Sequence, residues 1–211
     1  VVANPMWNQG RDSLPYVNDD FFINDEMERF PAGSCGGKFD WGWMQHIFSS
    51  LNDKGRAAVV LDTGAASRGS GNRGNNREKD CRKWFVDNDL IEGIIYLPEN
   101  LFYNTGAPGI IVFMNKVKKH KKMLYLLHAG KEFEKGDPKN FIPPSGIEKI
   151  SEYYKDFREE VKFARLVSAD EIKRNDYNIS PSRYVQINDT ETYRPIAEIV
   201  EELNELEEES L

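Results

Sequence analysis

The chain has 211 residues, of which 39% are hydrophobic and 12% aromatic, so it can bury a core and wholesale disorder is excluded. With 28 Lys and Arg against 35 Asp and Glu, its net charge of −7 excludes binding to nucleic acid through overall charge, although local basic clusters or a basic partner could supply such contacts. No apolar run reaches the roughly 18 residues of a membrane span and no signal peptide opens the chain, so we expect no membrane contact. Two separated cysteines exclude a disulfide scaffold, which suits a cytoplasmic protein.

The first half of the chain alternates predicted strands and helices. It opens on Val1-Val2-Ala3, which is typical of the end of a buried strand; a complete domain seldom begins there, so we expect a fragment. Residues 4–38, rich in Asn, Asp, Gly and Pro, predict a long loop. The elements predicted next are a helix over 39–51, a strand buried on both faces over 56–61, a helix over 78–87 and a second buried strand over 91–97.

A third strand is predicted at 110–114, after a loop of about ten residues that has no helix pattern. A parallel return would need a longer crossover, so 110–114 should run antiparallel to 91–97, while 56–61 and 91–97 run parallel. This alternation predicts an α/β fold whose largely parallel sheet ends in one antiparallel hairpin. The later predicted elements are a strand over 123–128, an amphipathic helix over 146–160, a short helix over 168–175 and an acidic helix over 194–206.

The motif Asn4-Pro5-Met6-Trp7 directly follows the first strand. Ligands of α/β sheets bind at the carboxyl ends of strands. At this place the Asn4 side-chain oxygen and the Pro5 carbonyl oxygen could both accept hydrogen bonds from one exocyclic amino group, which would leave the lone pair of its nitrogen free. Trp7 could stack on a base taken out of a duplex. On these four residues alone, a strand-ending turn with Trp7 as a core aromatic is favoured.

A glycine-rich pattern further along the chain is a weaker indication of function. Gly69-Ser70-Gly71-Asn72-Arg73-Gly74 matches GxGxxG, but it begins eight residues past Leu61. The dinucleotide fingerprint lies in the tight turn directly after a strand, so a flexible loop is favoured here. In and around this loop, Arg68, Arg73 and Arg77 are candidate contacts to DNA phosphates.

Other polar clusters predict no chemistry. The lysine-rich run 118–122 is more typical of a solvated turn than of a DNA-binding patch. Cys35 and Cys81 form no CxxC, and no nucleophile arrangement of Cys or Ser is evident. The three histidines, His46, His120 and His128, lack ligand spacing, so we predict no metal site.

Taken together, these segments resemble the methyltransferase (modification, M) subunit of type I restriction-modification systems, an N6-adenine DNA methyltransferase. The resemblance runs from Val2 to about Val185. The strand and Asn-Pro-Pro-Phe box of that family align with residues 2–8, and its next helix and strand resemble 39–46 and 55–61. The most specific matches are 89–98 and 100–106, and the segment 175–185 is also typical.

The sequence departs from the family pattern in two ways. Met6 replaces the second proline and Trp7 replaces the usual phenylalanine or tyrosine, which leaves open whether Met6 impairs activity. The glycine-rich S-adenosylmethionine box of the family precedes the Asn-Pro box, and here nothing precedes it. The chain therefore resembles the C-terminal half of such a subunit, and we expect that it does not methylate DNA alone.

The resemblance implies transfer of a methyl group from S-adenosylmethionine to the N6 of adenine in DNA. It assigns the grip on the amino group to the Asn4 side chain and the Pro5 carbonyl, and stacking on the flipped adenine to Trp7. It implies DNA, a specificity subunit and a restriction subunit as partners. It also implies a partial Rossmann-like sheet in 1–128, the C-terminal half of the catalytic domain, followed by a family-specific extension over 129–185 and an acidic C-terminal helix over 186–211.

Two alternatives stay open. The chain could be a non-catalytic α/β module that binds DNA or a protein partner. It could also be a nicotinamide enzyme, which would require cofactor binding by the loop at 69–74. Calorimetry with S-adenosylmethionine on the intact gene product separates these hypotheses, and a glycine-rich box upstream in the encoding gene would favour the methyltransferase.

Overall fold

The computed structural model describes residues 1–10, 12–15 and 17–185, which form one mixed sheet with helices on both faces. The strands are β1 (Val2–Ala3), β2 (Arg56–Asp62), β3 (Ile91–Tyr96), β4 (Gly109–Asn115), β5 (Met123–His128) and β6 (Ala164–Ser168). The α-helices are α1 (Asp19–Ile23), α2 (Asp40–Ser49), α3 (Arg77–Asp87), α4 (Pro144–Asp156), α5 (Ala169–Arg174) and α6 (Pro181–Tyr184), and a short 3-10 helix covers Thr63–Ala66.

The strand order is β1-β2-β4-β3-β5-β6. Strand β4 runs antiparallel to β3, and β2 and β3 run in the same direction, so both directional predictions are confirmed. The hairpin does not end the sheet, however. Strand β4 is inserted between β2 and β3, β5 pairs with β3 in parallel, and β6 adds an antiparallel strand to β5.

Two hydrophobic clusters cover the two faces of the sheet, because successive strand residues point in opposite directions. Ile94 and Val112 belong to the cluster beneath α2 and α3, whereas Ile95 and Ile111 belong to the one beneath α4. The strand β2, predicted to be buried on both faces, buries only alternate residues fully, and its other face is half-buried. Strand β5 is buried on both faces from Leu124 onwards.

The four predicted helices that fall on described residues are found to within a few residues, and four elements were not predicted: α1, the 3-10 helix Thr63–Ala66, β6 and α6. The helix α1 lies within the predicted loop 4–38, capped by the Asn18 side chain, which accepts from the Phe21 amide. The strand β6 lies within 129–185, so this segment contributes to the sheet; the division of the chain at 128 and 185 stays a prediction. The predicted acidic helix over 194–206 lies outside the described residues.

The carboxyl ends of β1, β2, β3 and β5 all lie at one edge of the sheet, because these four strands run in the same direction. In the described sheet β1 is an edge strand, and Val2 on it is 88% exposed. Among the described residues, no helix is both long and apolar enough to cross a membrane.

Candidate active site at the end of strand β1

A cleft of about 660 Å³ opens where strands β1 and β2 end. The segment 4–9 and residues of the loop 101–107 between β3 and β4 form its wall, and Asp62 at the end of β2 is its floor. Asn4, Pro5 and Trp7, the residues predicted to carry the chemistry, all line this cleft. The sheet thus presents the predicted motif at its carboxyl edge, where α/β folds bind ligands.

Trp7 is held in place by both its ring and its N–H group. The indole Nε1 donates to Asn4 Oδ1 at 3.1 Å and to the Val60 carbonyl oxygen at 3.2 Å. The ring meets Phe102 edge to face, with centroids 4.6 Å apart at 75°. Gly109 allows this approach, because a Cβ there would lie 2.9 Å from Trp7 Cη2 and 3.0 Å from Phe102 Cε2. The half-buried indole therefore forms part of the cleft wall.

Asn4 is exposed to solvent and offers an acceptor to the cleft. Its Oδ1 already accepts from Trp7, but a carbonyl oxygen has a second lone pair that can accept from a ligand. Pro5 is half-buried and Met6 is 61% exposed, so Met6 does not pack into the core. The arrangement leaves acceptors on Asn4 and Pro5 beside an aromatic wall formed by Trp7 and Phe102.

Arg68, predicted as a DNA contact, has its guanidinium surrounded by carboxylates. Its Nε donates to Glu78 at 2.6 Å, its Nη1 to Asp62 at 2.9 Å, and its Nη2 to Asp40. Burial lowers the pKa of Arg68, but the three carboxylates outweigh it and hold that pKa above its ordinary value. Burial raises the pKa of Asp40 and of Glu78, and the Arg68 charge opposes that rise. These bonds occupy the group that would otherwise bind a phosphate.

The other two predicted DNA contacts remain on the surface. Arg77 begins helix α3 and pairs with Asp19, with half of its side chain exposed. Arg73 is exposed in the loop 69–74. A contact of either residue with DNA stays a prediction.

The loop 69–74 does not have the geometry of a cofactor-binding turn. It follows the 3-10 helix Thr63–Ala66 rather than strand β2 itself. Its Gly71 amide donates to Asp176 at 2.8 Å, and its Ser70 hydroxyl accepts from the buried Arg82 at 2.8 Å. A Cβ on Gly69, whose φ is +81°, would collide with the Asn76 side chain. The described residues therefore do not fit S-adenosylmethionine or a dinucleotide at this loop.

Two further predictions concern lysines and thiols. Lys118 is not part of a solvated turn: it is 4% exposed and donates to Asp89 and to the Met123 carbonyl oxygen. Cys35 and Cys81 are free and buried, and burial raises the pKa of both thiols, to about 12 for Cys35. Among the described residues, no group of three or more His, Cys, Asp and Glu side chains could hold a metal ion.

Sequence reasoning did not identify Asp62, Phe102 and Tyr103 as cleft residues. Asp62 caps the 3-10 helix by accepting from the Gly64 amide at 2.9 Å, and so holds the floor of the cleft. Phe102 contacts Trp7, and Tyr103 is 83% exposed at the cleft mouth. The segment 100–106 was among the most specific matches to the methyltransferase subunits, which was the signal that pointed to this wall.

Comparison with known proteins identifies the family. The sequence profile of the family described as N-6 DNA Methylase matches residues 1–193. The chain belongs to this family. It is 38% identical over 217 residues to the type I restriction enzyme MjaVIII methylase subunit of Methanocaldococcus jannaschii, and 28% identical over 188 residues to the MpnII methylase subunit of Mycoplasma pneumoniae. The resemblance inferred from the sequence is thereby confirmed.

The matches cover most of this chain and part of each N-6 DNA methylase relative. They span 100% of this chain and 36% of the MjaVIII subunit, and 88% of this chain and 33% of the MpnII subunit. The crystal structure of a type I methyltransferase subunit from Streptococcus thermophilus superposes with a TM-score of 0.76 at 30% identity, over 89% of this chain and 38% of that chain. The EcoKI M protein, at 16% identity and a TM-score of 0.56, shares the fold.

Proposed function

We propose that this chain supplies the adenine-binding cleft of an N6-adenine DNA methyltransferase, the modification subunit of a type I restriction-modification complex. The observation that carries the proposal is the position of Asn4, Pro5 and Trp7 around one cleft at the carboxyl edge of the sheet. Family membership favours this function over a non-catalytic module, and the packed loop at 69–74 removes the basis for a nicotinamide enzyme.

In this proposal the chain binds and orients the target base. The Asn4 side-chain oxygen and the Pro5 carbonyl oxygen accept the two hydrogens of the adenine N6 amino group. The nitrogen lone pair is then not engaged in a hydrogen bond and stays available as a nucleophile. Trp7 contacts the face of the base, and Phe102 supports Trp7 from the side at 4.6 Å. No covalent bond to the protein is needed.

S-adenosylmethionine is the methyl donor that the family implies. The glycine-rich loop 69–74 does not fit it, so we assign to this chain the acceptor side of the reaction only. The proposed partners are DNA, held in part by Arg73 and Arg77, and a specificity and a restriction subunit. Action on cellular DNA implies a cytoplasmic location.

The experiment is methyl transfer by the full-length gene product, copurified with its specificity subunit. Tritium from labelled S-adenosylmethionine should appear in duplex DNA, and mass spectrometry of the nucleosides should identify N6-methyladenine. A duplex already methylated at N6 of the target adenines serves as the control and should accept no label. Label on cytosine N4, which presents a similar amino group, or the absence of transfer would overturn the proposal.

A further inference from the structure

We propose that Arg68 is a positioning residue that fixes the backbone following Trp7, and thereby the shape of the cleft. The inference rests on the proposed function of the cleft, and it replaces the role in DNA contact that the sequence suggested. It concerns one interaction in particular, between the Arg68 guanidinium and Asn8, which directly follows Trp7 in the chain and lines the cleft.

Asn8 is held at three polar groups at once. Its backbone N–H donates to Asp40 Oδ1 at 3.0 Å, its side-chain Oδ1 accepts from Arg68 Nη1 at 3.0 Å, and its carbonyl oxygen accepts from Lys38 Nζ at 3.1 Å. Its φ of +55° lies in the left-handed region, which the surroundings must stabilise in a residue other than glycine. Asp40 and Arg68 are themselves paired, so together they clamp one residue.

The Arg68 side chain joins this clamp to the floor of the cleft. The nitrogen that donates to Asn8 also donates to Asp62, which is the floor of the cleft. The planar guanidinium can bind the Asn8 amide oxygen and three carboxylates at the same time, which the compact ammonium of lysine cannot. Replacement of Arg68 should therefore loosen both the wall and the floor of the cleft.

The side chain of Arg82 anchors the backbone that carries Arg68. Arg82, which is fully buried, donates to the carbonyl oxygens of Arg68 at 3.0 Å and Ala65 at 3.1 Å, and to the Ser70 hydroxyl. The Arg68 side chain thus extends from a fixed point towards the cleft. The pairing of Arg68 with the buried carboxylates of Asp40 and Glu78 stabilises the fold around the site, whereas its bond to Asn8 is made to a residue that lines the cleft.

Two variants separate positioning from folding. Arg68→Lys keeps the positive charge and removes the planar guanidinium that binds several acceptors at once. Asn8→Gly retains Arg68 and all its carboxylates, permits the left-handed φ, and removes the side chain whose amide oxygen Arg68 binds. If Arg68→Lys fails to fold, Asn8→Gly decides alone. Arg165→Lys is the matched control, because Arg165 is an exposed arginine that pairs with Glu171 away from the cleft.

The first readout is independent of activity and uses the 211-residue chain. With 5-fluorotryptophan at its four tryptophans, the Trp7 fluorine signal is assigned by its loss in Trp7→Phe and the Trp84 signal by its loss in Trp84→Phe. We expect the Trp7 signal to shift or broaden in Arg68→Lys and Asn8→Gly, with the Trp84 signal unchanged, and no change in Arg165→Lys. A Trp7 signal that is unaltered in folded variants overturns the proposal, whether or not the cleft binds adenine.

The second readout uses the full-length gene product with its specificity subunit, and duplex DNA carrying 2-aminopurine at the target adenine. We expect the single-turnover rate on normal duplex to fall by about 10- to 100-fold in both variants, with reduced 2-aminopurine emission and unchanged duplex affinity. If Arg68→Lys instead weakens duplex affinity and lowers its salt dependence, Arg68 is a phosphate contact and the proposal is wrong. Failure of the wild type to methylate adenine would contradict the proposed function instead.

Discussion

Substitution of Trp7 separates the contribution of its aromatic ring to the cleft from that of its N–H group. Trp7→Ala removes the ring that contacts Phe102 and the N–H that Asn4 and Val60 share, whereas Trp7→Phe removes the N–H and keeps a smaller aromatic ring. The shared hydrogen bond is worth about 1 kcal/mol of folding free energy, and the edge-to-face contact about 1 kcal/mol more. Trp7→Ala also loses the apolar burial of the half-buried indole, so we expect it to lower the free energy of unfolding by more than about 2 kcal/mol, whereas Trp7→Phe should lower it by about 1 kcal/mol.

The effect on the target base should differ more strongly between the two variants. Base stacking on an aromatic side chain contributes about 1–3 kcal/mol, so Trp7→Ala should weaken capture of the flipped base about 5- to 150-fold. Trp7→Phe retains a ring and removes the hydrogen bond from Trp7 to Asn4 Oδ1, whose second lone pair is available to the base already, so base capture should change little.

Titration of the full-length gene product with 2-aminopurine duplex measures base capture, and a duplex without the target adenine is the control for general DNA affinity. If folded Trp7→Ala captures the base as well as the wild type, the assignment of Trp7 as a stacking residue is wrong. Equal losses in the alanine and phenylalanine variants would show instead that the N–H group, rather than the ring, is what matters.

Three other predictions follow from the buried polar groups and the packed loop. Arg82→Met leaves the carbonyl oxygens of Tyr177 and Arg68 without a donor, whereas that of Ala65 still accepts from Trp41, and it should lower the free energy of unfolding in urea by about 3 kcal/mol; a much smaller loss would mean that water replaces the guanidinium. Cys35 and Cys81 should react with a disulfide reagent only as the chain unfolds, and rapid reaction in the native state would contradict their burial. Because the folded state raises the pKa of Cys35 from 9.0 to about 12, the free energy of unfolding should fall as the pH rises through this range. Calorimetry of the 211-residue chain should detect no binding of S-adenosylmethionine, and micromolar affinity would show that the described residues do hold the donor.

Strand positions could be predicted from the sequence because each strand is a short apolar run, but the order of the strands could not. The antiparallel direction of β4 follows from the short, helix-free connection at 97–108. Its insertion between β2 and β3 depends on which faces the helices cover, which no local pattern encodes. Strand β6 was missed because Arg165 is exposed within it and only Ala164 and Val167 are fully buried, so no apolar run marks it.

The candidate site, like the fold, could be predicted only in part from the sequence. Asn4, Pro5 and Trp7 could be predicted because they lie together in the sequence and directly follow a strand. The environment of Arg68 could not, since its partners Asp40 and Asn8 lie 28 and 60 residues away in the chain. An arginine in a loop rich in glycine and asparagine is typical of a phosphate contact, and only the fold brings the carboxylates to it.

The central claim, that the cleft at the end of β1 grips the target amino group, is tested most directly by Asn4→Ala in the full-length gene product. Asn4 is exposed, and the only bond it is seen to make within the described residues is with Trp7, so the variant should fold normally. We predict that tritium transfer to duplex DNA is abolished while calorimetry shows S-adenosylmethionine binding largely unchanged. Near-normal methylation by Asn4→Ala would contradict the account.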